Sequence, residues 1–165
     1  MLIDTHAHLE MREFNDDRDD VIKRAREAGV EYIVTIGTTV ESCRDAVLLA
    51  DKNESIYAAI GIHPHEVKDI LHPAYEIIRH FAQHKKVVAY GEIGLDYHYE
   101  HSPRTDQRRK FRDMLREARE LKLPIIVHDR DAHEDTLQIL TEEWSPGLGG
   151  VMHCFSGDVE LAKTF

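Results

Sequence analysis

Twelve histidines in 165 residues are the most consequential chemical feature of this chain, and their placement matters more than their number. His6 and His8 stand two apart at the end of an apolar, β-branched run, and residues i and i+2 of a strand project to the same side. Glu92 lies within Gly91-Glu-Ile-Gly-Leu-Asp96, His128 closes Ile125-Ile-Val-His128, and His153 follows Val151-Met152. Neutral imidazoles mixed with a carboxylate suit divalent cations such as Zn²⁺, Mn²⁺ or Mg²⁺. Four imidazoles and one carboxylate exceed what one open catalytic site needs. A carboxylate can bridge two ions about 3.5–4 Å apart, so the expected arrangement is His6, His8 and Glu92 on one ion, with Glu92, His128 and His153 on the other.

Blander readings compete with this one. A lone His-x-His is a weak signal, and a single histidine at a strand end is more often a hydrogen-bonded core residue. Four such residues and a glutamate at the ends of four buried strands are harder to explain that way, because unpaired polar groups there are costly. His72, His80, His84, His98, His101 and His133 fall on helices or loops and read as surface residues. Neither His65-Glu66 nor His133-Glu134 is followed by the second histidine of a zincin helix,. Cys154 reads as a small buried neighbour of His153 rather than a thiol nucleophile.

The elements that must position these groups alternate along the chain. Strand-like runs are Leu2–Leu9, Tyr32–Thr38, Ile56–His63, Val87–Leu95, Ile125–His128 and Val151–Phe155. Most are nearly continuous in apolar residues, as a parallel sheet covered by helices requires. Helical patterns occupy Asp16–Ala28, Val40–Lys52, Ala74–His84, Ser102–Lys122 and Ala132–Trp144, and a sixth begins near Asp158,. Strict βα alternation predicts a parallel α/β sheet. No G-x-G-x-x-G follows the first strand, which weakens a dinucleotide-binding reading,. Strand ends recur about every 29 residues, so eight units need roughly 230, near the ~250 typical of a (β/α)8 barrel. The expectation is a TIM-barrel type fold with about six of eight βα units present, forming one domain over residues 1–165. Metal-binding residues at strand C-termini would then share one mouth.

Composition narrows the function classes. A formal net charge of −10 argues against a generally basic surface for nucleic acid, but not against phosphates held through bound cations. No apolar run is longer than Ile56–Ile60, which falls far short of the roughly 20 residues that span a bilayer. Two cysteines, Cys43 and Cys154, cannot form a disulfide framework, and a cytoplasmic location is the expectation. Arg104, Arg108, Arg112 and Arg116 form a four-residue series that could track a DNA backbone. Interleaved Asp106, Asp113, Glu117 and Glu120 favour a solvated face instead,. Arg130, between Asp129 and Asp131, reads as a structural ion pair before a phosphate contact.

Five stretches, taken together and in order, resemble the TatD-related metal-dependent deoxyribonucleases. They are Ile3-Asp-Thr-His-Ala-His8, Gly61-Ile-His-Pro-His65, Gly91-Glu-Ile-Gly-Leu-Asp96, Pro124-Ile-Ile-Val-His128 and His153-Cys-Phe-Ser-Gly157. The resemblance implies a distorted TIM barrel, a two-metal site and hydrolysis of DNA phosphodiester bonds, often from the 3′ end. By position, it implies His6 and His8 as a first-metal pair, Glu92 as the bridging catalytic carboxylate, and His128 and His153 as second-metal ligands. His63 matches a position near the substrate phosphate. Members of the family continue for roughly two further βα units, where an Asp completes the first-metal site. No residue here matches that Asp, and the expectation is a C-terminally incomplete barrel. DNA is the implied partner, with no membrane and no obligate protein partner. Two alternatives stay open: an amidohydrolase-type enzyme acting on a small ester, lactone or amide, and an inactive metal-binding fragment.

Overall fold

The structure, a computed structural model, describes residues 1–165 apart from the side chain of His72, so the surface reading of that histidine lies outside the described residues. Six units follow one another: β1 (Leu2–Ala7), α1 (Arg18–Glu27), β2 (Val30–Ile36), α2 (Val40–Lys52), β3 (Ile56–Ile60), α3 (His72–Phe81), β4 (Val87–Asp96), α4 (Arg104–Leu121), β5 (Ile125–Arg130), α5 (His133–Glu143), β6 (Gly150–Met152) and α6 (Val159–Thr164). The strands form one sheet in the order β1-β2-β3-β4-β5-β6, and every neighbouring pair is parallel. A doubly wound sheet reverses its strand order at a switch point. A sequential order does not, and it is the order of a (β/α)8 barrel carried through six units.

Alternation along the strands sorts residues onto two faces. Ala58, Ile60, Tyr90, Ile125 and Val127 join the main core with helix residues such as Cys43, Ala46, Phe111, Leu115 and Ile139. Their neighbours Ala59, Ala89 and Ile126 form a separate small cluster with Ile36 and Val34, to which, among the described residues, no helix contributes. The helices therefore cover one face, and the other is the barrel interior. A cavity of about 190 Å³ on that interior side touches Thr5, His6, Val34, Ala89, Ile126 and His153. It brings β1 and the end of β6 into one lining, although the two strands are not paired.

Local chemistry accounts for several boundaries. The Thr39 hydroxyl accepts from the Ser42 amide while the Ser42 hydroxyl accepts from the Thr39 amide, a capping box that starts α2 at the expected residue,. Asp158 caps α6 by accepting from the Leu161 amide at 2.8 Å. β4 and β5 run further than their apolar patterns suggest, to Asp96 and Arg130, because they pair with each other through Gly94↔His128, Leu95↔Asp129 and Asp96↔Arg130. Glu92 and His128 thus lie inside their strands rather than at the ends. β6 stops at Met152, so Cys154 stands in the turn beyond it and is exposed, not buried as expected.

The arginine series on α4 is consumed by ion pairs. Arg112 and Arg116 reach Glu142 and Glu143 of α5, Arg108 reaches Asp135, and Arg104 pairs with Glu100. It ties α4 to α5 rather than standing free in solvent. Among the described residues, no helix is long and apolar enough to cross a membrane.

Candidate metal centre

Three strand ends, those of β1, β3 and β6, and two strand interiors deliver the candidate ligands. His6 sits in β1, and His8 just beyond it. His63 follows β3 after Gly61 and Ile62, with its amide donating to the Thr38 carbonyl at 2.9 Å. Glu92 and His128 come from β4 and β5, and the His153 amide donates to the Val127 carbonyl at 2.8 Å. The alignment of β4 with β5 is enforced at Gly94, where a Cβ would stand only 2.0 Å from the His128 carbonyl oxygen. A side chain at that position would push His128 away from Glu92.

Glu92, 4% exposed, is the hub. Its Oε1 lies 2.8 Å from His128 Nδ1 and 3.9 Å from His63 Nε2. Its Oε2 lies 3.3 Å from His6 Nε2, and the His6 and His153 rings stack with centroids 3.4 Å apart. Two groups of potential ligand atoms result, each gathered within 4.8 Å: His6, Glu92 and His153, and His63, Glu92 and His128. The sequence expectation paired His6 with His8 and His128 with His153. The structure instead brings His153 to His6 and His63 to His128, with Glu92 shared in both schemes. The His8 ring stands beside His6 at 5.1 Å between centroids, and its Nδ1 meets the Ile36 carbonyl at 3.0 Å.

Carboxylates stand behind the imidazoles. Asp96 Oδ2 lies 2.9 Å from both His128 Nε2 and His65 Nε2. Its Oδ1 accepts from the His98 and Tyr99 amides. Glu10 Oε1 lies 3.5 Å from His8 Nδ1, and Glu10 Oε2 accepts from the Thr35 hydroxyl. Asp96, His65 and Glu10 were not singled out from sequence, although a signal was present. Glu10 continues the two-residue alternation His6-x-His8-x-Glu10, His65 repeats the spacing from His63, and Asp96 follows Glu92 by four along one strand,.

The charges follow from this geometry. Burial works to raise the Glu92 pKa, but the adjacent His128 and His6 imidazoles outweigh it and hold the carboxyl far below its ordinary range. Asp96 is held down to about 2: burial opposes ionisation, and the Tyr99 amide, His65 and His128 more than offset it. Burial, reinforced by neighbouring His128, drops His63 to about 3, so its ring is neutral at physiological pH. His8 is raised, chiefly by Glu10. Burial lowers His153.

The donor set fits divalent cations. His6 Nε2 is buried without a hydrogen-bond partner among the described residues, and a lone pair so placed is costly unless a cation takes it. Its nearest company is an ionised carboxylate and two neighbouring imidazoles, a mixed N/O set suited to Zn²⁺ or Mn²⁺. Elsewhere the remaining expectations resolve simply. Cys43 is buried, its thiol pushed up to about 12 by burial and set between the Gly61 amide and carbonyl. His133 meets Asp129 at 2.7 Å and His84 meets Asp51 at 3.2 Å.

Comparison with known proteins places the chain. The family described as TatD related DNase matches residues 3–165. The chain is 44% identical over 163 residues to the metal-dependent hydrolase YabD of Bacillus subtilis, covering 99% of this chain and 64% of that protein. It is 38% identical over 160 residues to the 3′-5′ ssDNA/RNA exonuclease TatD of Shigella flexneri, covering 96% and 61%. The crystal structure of YjjV, a TatD homologue from Escherichia coli, superposes with a TM-score of 0.91 at 31% identity, over 99% of this chain and 63% of that one. The chain thus spans about three-fifths of the length of these relatives. On the extent of the match and these identities, the chain belongs to the TatD related DNase family.

Proposed function

We propose that this polypeptide carries the metal centre of a hydrolase that cleaves phosphodiester bonds in single-stranded DNA, removing nucleotides from the 3′ end. The observation that carries this reading is Glu92, whose two oxygens serve two separate groups of imidazoles. In this reading Glu92 would be shared by two divalent ions, Mg²⁺, Mn²⁺ or Zn²⁺. His6 lies on its Oε2 side, with His153 stacked on it and His8 beside it, and His128 and His63 lie on its Oε1 side. Such ions supply polarisation of the phosphate and acidification of a water. The protein's own part is to place and orient. Asp96 holds His128 by its far nitrogen, and the Ile36 carbonyl and Glu10 do the same for His8, which fixes tautomer and ring angle,. His63 lines an open cleft of about 230 Å³ with His8, Thr38, His65 and Glu92. Its neutral ring can donate to a phosphate oxygen there. The relatives named 3′-5′ ssDNA/RNA exonuclease support the substrate class and polarity. A cytoplasmic location belongs to the same reading.

The test is shortening of 3′-protected and unprotected end-labelled single-stranded DNA by the chain with Mn²⁺ or Mg²⁺. Controls are EDTA and Glu92→Ala. Metal-dependent shortening that needs a free 3′ end and vanishes in Glu92→Ala is expected. Intact DNA alongside turnover of small esters would overturn the nuclease reading.

A further inference from the structure

Beside the centre lies a group of rings that neither the fold nor the ligand set uses. Tyr99 is 51% exposed. Its ring lies nearly parallel to that of His101, at 7° and 5.7 Å between centroids, and edge-on to His98 at 4.7 Å. The Arg130 guanidinium lies against the Tyr99 ring, 4.8 Å from its centroid. Contacts run unbroken into the centre: His65 touches Tyr99 at 5.6 Å and His101 at 4.6 Å, then His63 at 4.3 Å.

Arg130 has lost the partners its sequence neighbours suggest. Asp129 Oδ2 is taken by His133 and Asp131 by His98. Among the described residues Arg130 makes no ion pair; the expected pairing with its flanking aspartates is replaced by the tyrosine contact. An exposed arginine without a carboxylate, on a chain of net charge −10, is a local site for an anion. An exposed tyrosine at its side is a surface for a flat apolar ring. Phosphate and flat ring repeat together along a single-stranded nucleic acid, whose unstacked bases are free to pack on aromatic side chains. In a duplex they are already stacked on each other.

We propose that Tyr99, His101 and Arg130 form a subsite that takes one nucleobase of a single strand by stacking, with Arg130 on the adjoining phosphate. The proposal rests on the nuclease reading above and names where that substrate is gripped beyond the reacting bond. The subsite is sequence-tolerant, because every base presents a flat face.

The test compares a fluorescein-labelled oligothymidylate with an abasic strand of the same length by anisotropy, with Ca²⁺ supplied in place of Mn²⁺. The wild-type chain is expected to bind the thymidylate roughly 5- to 100-fold more tightly. Tyr99→Leu brings the ratio to below about twofold, and Tyr99→Trp restores it, which a merely misfolded loop would not do. Arg130→Gln weakens both strands alike and reduces the salt slope by about one. A wild-type chain that does not distinguish the strands, or a Tyr99→Leu chain that still does, overturns the subsite. If wild-type protein shortens DNA in the preceding assay, that result overturns the subsite alone. If it neither shortens nor binds either strand, the subsite and the nuclease reading fall together.

Discussion

Asp96 is the residue on which most of the centre's geometry converges. One oxygen meets His128 and His65 at 2.9 Å each, and the other accepts two backbone amides. All four contacts require an acceptor. In Asp96→Asn one end of the side chain becomes a donor, so either the imidazoles or the amides lose their partner at almost no change in shape. Outer carboxylates of this kind are worth about 10–100-fold in metal affinity or activity. Calorimetric titration of Asp96→Asn with Mn²⁺ is therefore expected to show affinity lower by that factor; affinity within about twofold of wild type would show His128 to be held by its strand alone. The histidines themselves were legible in the sequence because apolar, β-branched runs announce buried strands, and a metal-binding side chain in such a run stands out. Asp96, His65 and Glu10 were legible only by their spacing from Glu92, His63 and His8, because their meaning comes from partners: His65 and Asp96 are 31 residues apart, and no local pattern records that contact. Cys154 misled for the opposite reason. Its neighbours look like strand, and only the early end of β6 exposes it.

Elements bring these residues together through a few buried polar joints. Gln107, in the first turn of α4 and fully buried, closes one of them. Its Nε2 donates to the Asp96 and Ser102 carbonyls at 2.9 and 2.8 Å, and its Oε1 accepts from the Asp96 amide at 2.7 Å. The helix start is thus pinned to the last residue of β4. Gln107→Ala leaves three backbone groups without partners in a dry place, where each such loss costs about 1–3 kcal/mol. Partial rescue by entering water sets the expected destabilisation at about 2–4 kcal/mol, read from urea unfolding followed by circular dichroism. A loss below about 0.5 kcal/mol would mean that α4 is held by its apolar face alone, through Phe111, Met114, Leu115 and Ala118. From sequence, Gln107 is one more polar position in a helix crowded with charge. The apolar period of α4 was readable, whereas the docking of its N-terminus on β4 was not. Strand lengths show the same division. The apolar runs locate all six strands, but the extra residues of β4 and β5 come from their mutual pairing, which alternation of residue types does not encode.

At the scale of the whole molecule, the sequential sheet leaves β1 and β6 as its two edges, and the candidate centre spans them. His6 comes from one edge, His153 follows the other, and Glu92 sits between on β4. The His6 and His153 rings stack across that gap, while among the described residues no backbone hydrogen bonds join the two strands. A cation held by His6, Glu92 and His153 would therefore close a loop through most of the chain and fasten the edges where the sheet does not. Binding to the folded state alone at about one hundred times Kd stabilises by about 2.7 kcal/mol. For a chain of this size each kcal/mol moves Tm by about 2–4 °C, so Mn²⁺ is expected to raise Tm by roughly 5–10 °C over the EDTA-treated protein. Comparison of two variants separates fastening from mere occupancy. His153→Ala removes the β6 ligand and should lose most of the shift, whereas His80→Ala, at an exposed position of α3, should keep it. An equal shift in wild type and His153→Ala would mean that the ion sits on β4 and β5 without reaching β6. In that event the stacked His6–His153 pair would be a packing contact across the barrel interior and not part of a metal centre.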